Sequence, residues 1–328
     1  MANLQYLTTQ QITAAYARLR NAYQKPAYLS KVMTWIDGHS KKAPWVSGVV
    51  SPMDEFDPNN ASKEKPVAQY IDLVVAKFKA GVEVPLEDMR RDLTGSLSRE
   101  ILLGELADRD MEHPEFLFLD ALIAGATSES YDGQTFFDTD HVDVGGSYTT
   151  SQSNAIDSDI SDIPVLNHNT TTNPSIQEFM WSVMAGIEQL QGFRDSMGNL
   201  VNRRVKSVAV FCSSSMYTQA MAISKENEES GGSNTLREIE KKTGLSIEII
   251  SDSYLSAWTE KIVVVRTDVR RTLALGIEEE LEGETALSVK SPANSDYCDD
   301  HECFTVKRRA NRKVKLGDWR YAVQVTLT

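Results

Sequence analysis

The run YDGQTFFDTDH, Tyr131–His141, decides how the rest of the chain is read. It follows a long apolar-periodic segment and opens a polar region, where a compact enzyme would keep its chemistry. Asp138, Asp140, His141 and Asp143 put oxygen and nitrogen donors within reach of one cation, and Asp157, Asp159 and Asp162 repeat the theme. Two readings stand. In one, the cluster binds a cation and serves a hydrolase. In the other, the Asp side chains bond local backbone amides in turns, while Phe136 and Phe137 anchor the loop to the core. An EF-hand is excluded, because the Gly and distal Glu at the required offsets are missing.

Upstream lies VPLEDMRRDLTGSLSREILLGELADRDMEHPEFLFLDALIAG, residues 84–125. Thr94 or Ser96 can cap a helix whose apolar side carries Leu97, Ile101, Leu102 and Leu106 and continues through Phe116, Leu119, Leu122 and Ile123. Pro114 lacks an amide hydrogen and clashes with the preceding turn, which predicts a kink or restart there; Gly125 is a natural stop. Before the helix, Val74, Ala76, Phe78, Ala80, Val82 and Val84 alternate with Lys77, Lys79, Gly81 and Glu83, the pattern of a half-buried strand. Trp45–Val50 reads as another strand. The polar, Pro-punctuated stretch between them, SPMDEFDPNNASKEKPVAQY (51–70), is too long for a structureless excursion inside a compact domain unless something else holds it.

At the N-terminus, Thr8 and Gln11 form a candidate capping box, and Ile12, Ala15, Tyr16, Leu19 and Tyr23 predict a helix over 9–23. Its apolar stripe fits either the chain's own core or a neighbouring copy. Residues 127–173 read as a long loop region. Asn173 with Pro174 then starts a helix striped by Ile176, Phe179, Met180, Val183, Met184, Ile187 and Leu190. Strand 205–211, helix 214–223, a Gly231-Gly232 loop, helix 235–242 and strands 247–250 and 262–265 follow, an interleaving that makes a small α/β domain. The tail predicts strands at 272–277, 285–289, 304–314 and 321–326.

These segments resemble the Mu-type major head subunit family of tailed phages. The resemblance rests on the Tyr-Asp-Gly run, aromatic pair and acid-His pair after a similar helix. It also rests on the approach through Val84-Pro-Leu-Glu-Asp-Met to Asp92, and on the C-terminal HECFTVKRRANRKVKLGDWRYAVQVTL. It implies an α+β, Hong Kong 97-type capsid fold with an N-terminal arm (1–43) and an extended loop (44–83), a long β-hairpin arm lying across an adjacent subunit. A peripheral domain (84–126 and 269–328) would hold the long spine helix and C-terminal strands, and an axial α/β domain would cover 127–268. The implied function is that of a major capsid (head) protein, a structural protein of the virion that self-assembles into the icosahedral shell enclosing the phage genome. Its partners would be itself, in pentamers and hexamers, with portal, scaffold or protease and decoration proteins; DNA would be packaged inside without sequence-specific binding. Assembly would take place in the host cytoplasm. No catalytic, cofactor-binding or metal-binding residue is expected. An encapsulin-like or gene-transfer-particle shell protein would use the same fold, and a cation-dependent hydrolase at Asp138–Asp143 is the alternative from another class.

Composition agrees with a folded container. The 328 residues can bury a sizeable core, and 41% apolar with 25% charged residues is ordinary for a globular chain. A net charge of −13 disfavours a broad phosphate-neutralising surface. The short apolar runs predict no membrane span and no leader, and three cysteines are too few for a disulfide scaffold. Cys298, His301 and Cys303 could be imagined around zinc, but a second ligand pair is missing. The nucleophile-elbow, zincin, P-loop and dinucleotide signatures are all absent. The five histidines (His39, His113, His141, His168, His301) are scattered over unrelated segments, and Glu87 and Asp88 read as helix-start charges. One basic stretch remains: Lys307, Arg308, Arg309, Arg312, Lys313 and Lys315, on a predicted strand whose charges point to both faces. It either pairs with the acidic run Glu278, Glu279, Glu280, Glu282 and Glu284, between strands or subunits, or contacts nucleic acid.

Overall fold

A computed structural model describes residues 9–37, 42–47, 67–87, 97–142, 147–163, 168–224, 240–269, 272–279 and 286–328. The predicted caps at Thr8, Thr94 and Ser96, most of the 51–70 stretch, Gly231-Gly232, the start of helix 235–242, His39, Asp88, Asp92, Asp143, Glu280, Glu282 and Glu284 lie outside them.

Two five-stranded sheets organise the chain. The first runs β1 (Met33–Asp37), β9 (Ala274–Glu279), β11 (Cys303–Leu316), β10 (Leu287–Lys290), with β4 (Ala76–Pro85) on the other side of β11. β11 is its spine, antiparallel to β4, β9 and β10. Helices α1 (Thr9–Ala22) and α3 (Leu97–Ile123) pack on one face, where Ile12 and Tyr16 meet Leu103, Leu106, Ala107, Phe304 and Val306. The first helix thus buries its stripe in its own chain. A short helix, α2 (Leu29–Val32), leads into β1.

The second sheet is ordered β5 (Ala155–Ser158), β12 (Ala322–Leu327), β8 (Lys261–Arg266), β6 (Ser207–Ser213), β7 (Ser246–Asp252). Helix α4 (Ile176–Gly192) covers it with Phe179, Val183, Ile187 and Leu190, and α5 (Tyr217–Ser224) follows β6. Gly186 permits the close approach: a Cβ there would meet Val264 Cγ2 at 2.7 Å and Val325 Cγ2 at 3.0 Å. Strands β2 (Lys42–Ser47) and β3 (Val67–Asp72) form a separate antiparallel pair.

Four expectations change. Helix α3 does not restart at Pro114 but runs through it. The cap of α4 is Ser175, not Asn173: Ser175 and Glu178 form a reciprocal capping box. The strand placed in the extended loop, β4, pairs with β11 over Ala76–Arg312 to Pro85–Cys303 and belongs to the first sheet, so the separate hairpin is only β2–β3. The last strand, expected with the peripheral C-terminal strands, lies inside the second sheet between β5 and β8. Its burial on both faces (Ala322, Val323, Val325 and Leu327) suits an interior strand. A small helix, α6 (Asp296–Asp300), was not foreseen.

Candidate functional site

The residues of YDGQTFFDTDH fold into a buried polar staple. After α3, a 3-10 turn (Ala124–Ala126) ends the helix. The chain reverses through Gly133, whose φ of +85° favours glycine. Phe137 returns its amide to the Gly125 carbonyl at 2.9 Å and Phe136 bonds Ser128. A Cβ on Gly125 would lie 2.6 Å from the Phe137 ring, so the glycine makes room for the aromatic rather than supplying a left-handed turn. Phe136 and Phe137 meet edge to face and are buried, as the anchoring role requires.

His141 is wholly buried, stacked on Trp319 with ring centroids 4.3 Å apart and planes 7° off parallel. Its Nδ1 is 2.6 Å from the Asp132 carboxylate, and its Nε2 lies 3.2 Å from the Phe136 carbonyl and 3.1 Å from Asn154 Oδ1. Asn154 ties the loop to the C-terminus by donating to Phe136 O at 2.8 Å and Trp319 O at 3.2 Å. Asp138 accepts from Thr135 Oγ1 and the Thr139 amide, each at 2.7 Å; the Thr135 hydrogen bond comes first among the causes that hold its carboxyl below the usual range. Asp140 is exposed, Asp157 is exposed on β5, and Asp159 caps a 3-10 turn through Ser161. Both ring nitrogens of His141 are engaged within the fold. Among the described residues no group of three or more His, Cys, Asp and Glu is arranged to hold a metal ion.

The Cys298, His301, Cys303 idea fails similarly. Both thiols are buried, while His301 faces outward, stacked on Tyr297 and bonded to the Tyr297 carbonyl.

The basic stretch divides by strand parity. Arg308 and Arg312 turn inward onto Asp110 of α3, a residue that sequence reading passed over. Arg312 Nη2 meets Asp110 Oδ1 at 2.7 Å, and Arg308 Nε meets Oδ2 at 3.0 Å. Tyr16 donates to Oδ2 at 2.9 Å, and Arg20 approaches it at 3.2 Å. Glu278 on β9 completes the network, 3.1 Å from each arginine. Burial alone would raise the Asp110 carboxyl, but Arg312 and then Arg308 hold it below the usual range. Burial, followed by Arg312, lowers His113. The expected inter-strand pairing to Glu278 is therefore present, and the unforeseen partner is Asp110 of α3. Lys307, Arg309 and Lys313 point away from this network and are exposed.

Known proteins share this fold and part of this sequence. Residues 64–181 match the model of the family described as Mu-like prophage major head subunit gpT. The Mu-like prophage FluMu major head subunit of Haemophilus influenzae is 39% identical over 88 residues, which span 26% of this chain and 28% of that protein. The procapsid subunit of bacteriophage JBD30 superposes with a TM-score of 0.53 at 15% identity, covering 98% of this chain and 76% of that one. The capsid of Ralstonia phage GP4 gives 0.50 at 12% identity over 92% and 91%. The chain has the tailed-phage capsid fold and a Mu-like head-subunit sequence within it. The matched stretch contains β4, α3 and the whole staple. Within this fold, of the Hong Kong 97 type, the Asp110 network fastens α1 and the first sheet to α3.

Proposed function

We propose that the protein is a major capsid subunit that self-assembles into an icosahedral shell around a phage genome. The observation that carries this reading is the coincidence of a Mu-like head-subunit match on the spine-helix region with a capsid fold spanning nearly the whole chain. A site in which His141, Asn154 and Asp110 are turned to holding elements together suits structural work, and in this reading the chain turns over no substrate.

In this reading the β2–β3 arm reaches an adjacent copy, and the axial sheet with α4 meets its equivalents in pentamers and hexamers. Each contact is modest, and closure of a symmetric shell makes them mutually reinforcing. Portal, scaffold or protease, and decoration proteins join the particle, which forms in the host cytoplasm and encloses DNA without reading its sequence. Electron microscopy of the purified protein tests this: shells, tubes or capsomer rings are expected, and a monodisperse monomer at every concentration overturns it.

A further inference from the structure

A net charge of −13 conceals one basic surface. In β11 the even positions Arg308 and Arg312 are neutralised on Asp110 and Glu278, so the odd positions carry the face of the first sheet opposite α3. Lys307, Arg309 and Lys313 are exposed there and Lys315 half-exposed. On the neighbouring strand Phe78 turns toward His113 of α3, ring centroids 4.3 Å apart, so Lys77 and Lys79 emerge on the same outer face, both exposed.

Register places Arg309 directly opposite Lys79, and Lys307 opposite Gly81, across which its stem lies: a glycine Cβ would be 3.0 Å from Lys307 Cγ. Lys77, Lys79, Lys307, Lys313 and Lys315 form no ion pair among the described residues. Two acids share the face: Glu279, in register with Asn311, and Glu83, engaged by the Tyr297 hydroxyl at 3.2 Å, where Tyr297 rims a groove of about 430 Å³ that Lys79, Lys307 and Arg309 line.

We propose that this face is a sequence-independent contact surface for the phosphate backbone of nucleic acid. Lysine is depleted from the cores of protein interfaces, whereas rows of flexible ammonium groups suit the closely spaced charges of a duplex. Lysines carry no planar fork for reading bases, so the contact grips without selecting a sequence. The acidic remainder of the surface repels the same polymer and confines it to this side. Binding itself does not need a shell; that the bound polymer is the packaged genome rests on the capsid reading.

The test uses unassembled full-length protein and a fluorescein-labelled duplex of about 25 base pairs with arbitrary sequence, followed by anisotropy from 50 to 200 mM salt. If all five lysines engage phosphates, log K against log salt has a slope of roughly −4. Combined K77Q, K79Q, K307Q, K313Q and K315Q should bind at least tenfold more weakly with most of the slope gone. The K25Q/K261Q control should stay within twofold. Should the fivefold variant unfold, the K77Q/K79Q and K313Q/K315Q pairs, each checked by circular dichroism, are expected to show intermediate losses. Equal binding by folded variants, or no salt-dependent binding by the parent, overturns the proposal. So does lysine-dependent capture of a synthetic peptide of residues 51–60, which carries Asp54, Glu55 and Asp57, with no duplex binding; the face would then receive a second copy. Shells without DNA binding defeat this inference alone, while DNA binding without any particle defeats only the capsid reading.

Discussion

Arg312 donates through Nη1 to the main-chain carbonyl of Asp110 at 2.9 Å, inside helix α3. That carbonyl is the one a residue at 114 would bond in an uninterrupted helix, and Pro114 has no hydrogen to offer it. Within the same residue pair, Nη2 takes the Asp110 carboxylate. One guanidinium therefore satisfies the helix where proline breaks its ladder, and fixes β11 to it.

This relationship can be measured in a double-mutant cycle. R312A leaves the buried Asp110 short of its main partner and should cost about 3–5 kcal/mol in urea unfolding of the isolated subunit. P114A alone should change little, because Arg312 already holds the carbonyl. In the R312A background the amide hydrogen that P114A supplies can take the carbonyl over, and recovery of about 1 kcal/mol is expected. Additive effects would mean that the two residues do not share that carbonyl.

The same network sets an acid limit. Because the folded Asp110 carboxyl titrates below its unfolded value, its stabilisation is complete above the unfolded pKa and disappears as pH falls through the folded one. Glu115 is raised by burial and works in the opposite sense, gaining as it protonates. The difference between the parent and D110N isolates the first effect. It should be largest at neutral pH and shrink below about pH 4; a gap that widens on acidification would contradict the arrangement.

Much of this was legible in the sequence and some was not, for identifiable reasons. Period-two and helical patterns located β4, α3, α4 and β11, because each buries one face and exposes the other. The continuity of α3 through Pro114 was not legible, because Arg312, some two hundred residues away in sequence, takes the carbonyl that proline leaves, and no local rule reports that. Asp110 looked like any helix-surface acid; only the pairing of β11 with α3 buries it. β12 was grouped with its sequence neighbour β11 and lies in the other sheet, since a strand buried on both faces has no polar side to betray its neighbours. Ser175 with Glu178 was readable as a capping box and was masked by the attraction of Asn173-Pro174. In the Tyr131–His141 run, side-chain types were ambiguous between a cation cluster and a staple, and only the Asp132 and Trp319 contacts decide.

Gly125 offers a packing test. Replacing a helix-terminal glycine with alanine favours the helix by up to about 1 kcal/mol. Here the new methyl would lie 2.6 Å from the Phe137 ring, and overpacking of about 1–3 kcal/mol should win. The G125A protein should melt lower than the parent, and F137L should relieve part of the loss. A stabilised G125A would show that the loop yields at no cost.

The last prediction separates staple from cation site. H141F keeps an aromatic ring for Trp319 to stack on but deprives Asp132, whose side chain is 1% exposed, of its His141 partner and leaves it the Gln134 amide at 3.3 Å. An unpaired buried carboxylate is expensive, so a loss of about 3 kcal/mol or more is expected. Replacing Asp132 as well, in D132L/H141F, removes the stranded charge and should regain part of that loss, since apolar pairs often substitute for buried ion pairs. Calcium or zinc added at millimolar concentration should shift the melting temperature of neither the parent nor the variants. A cation-dependent rise in the parent that vanishes in H141F would restore the metal reading, because only a ligand binding the native state at His141 produces that pattern.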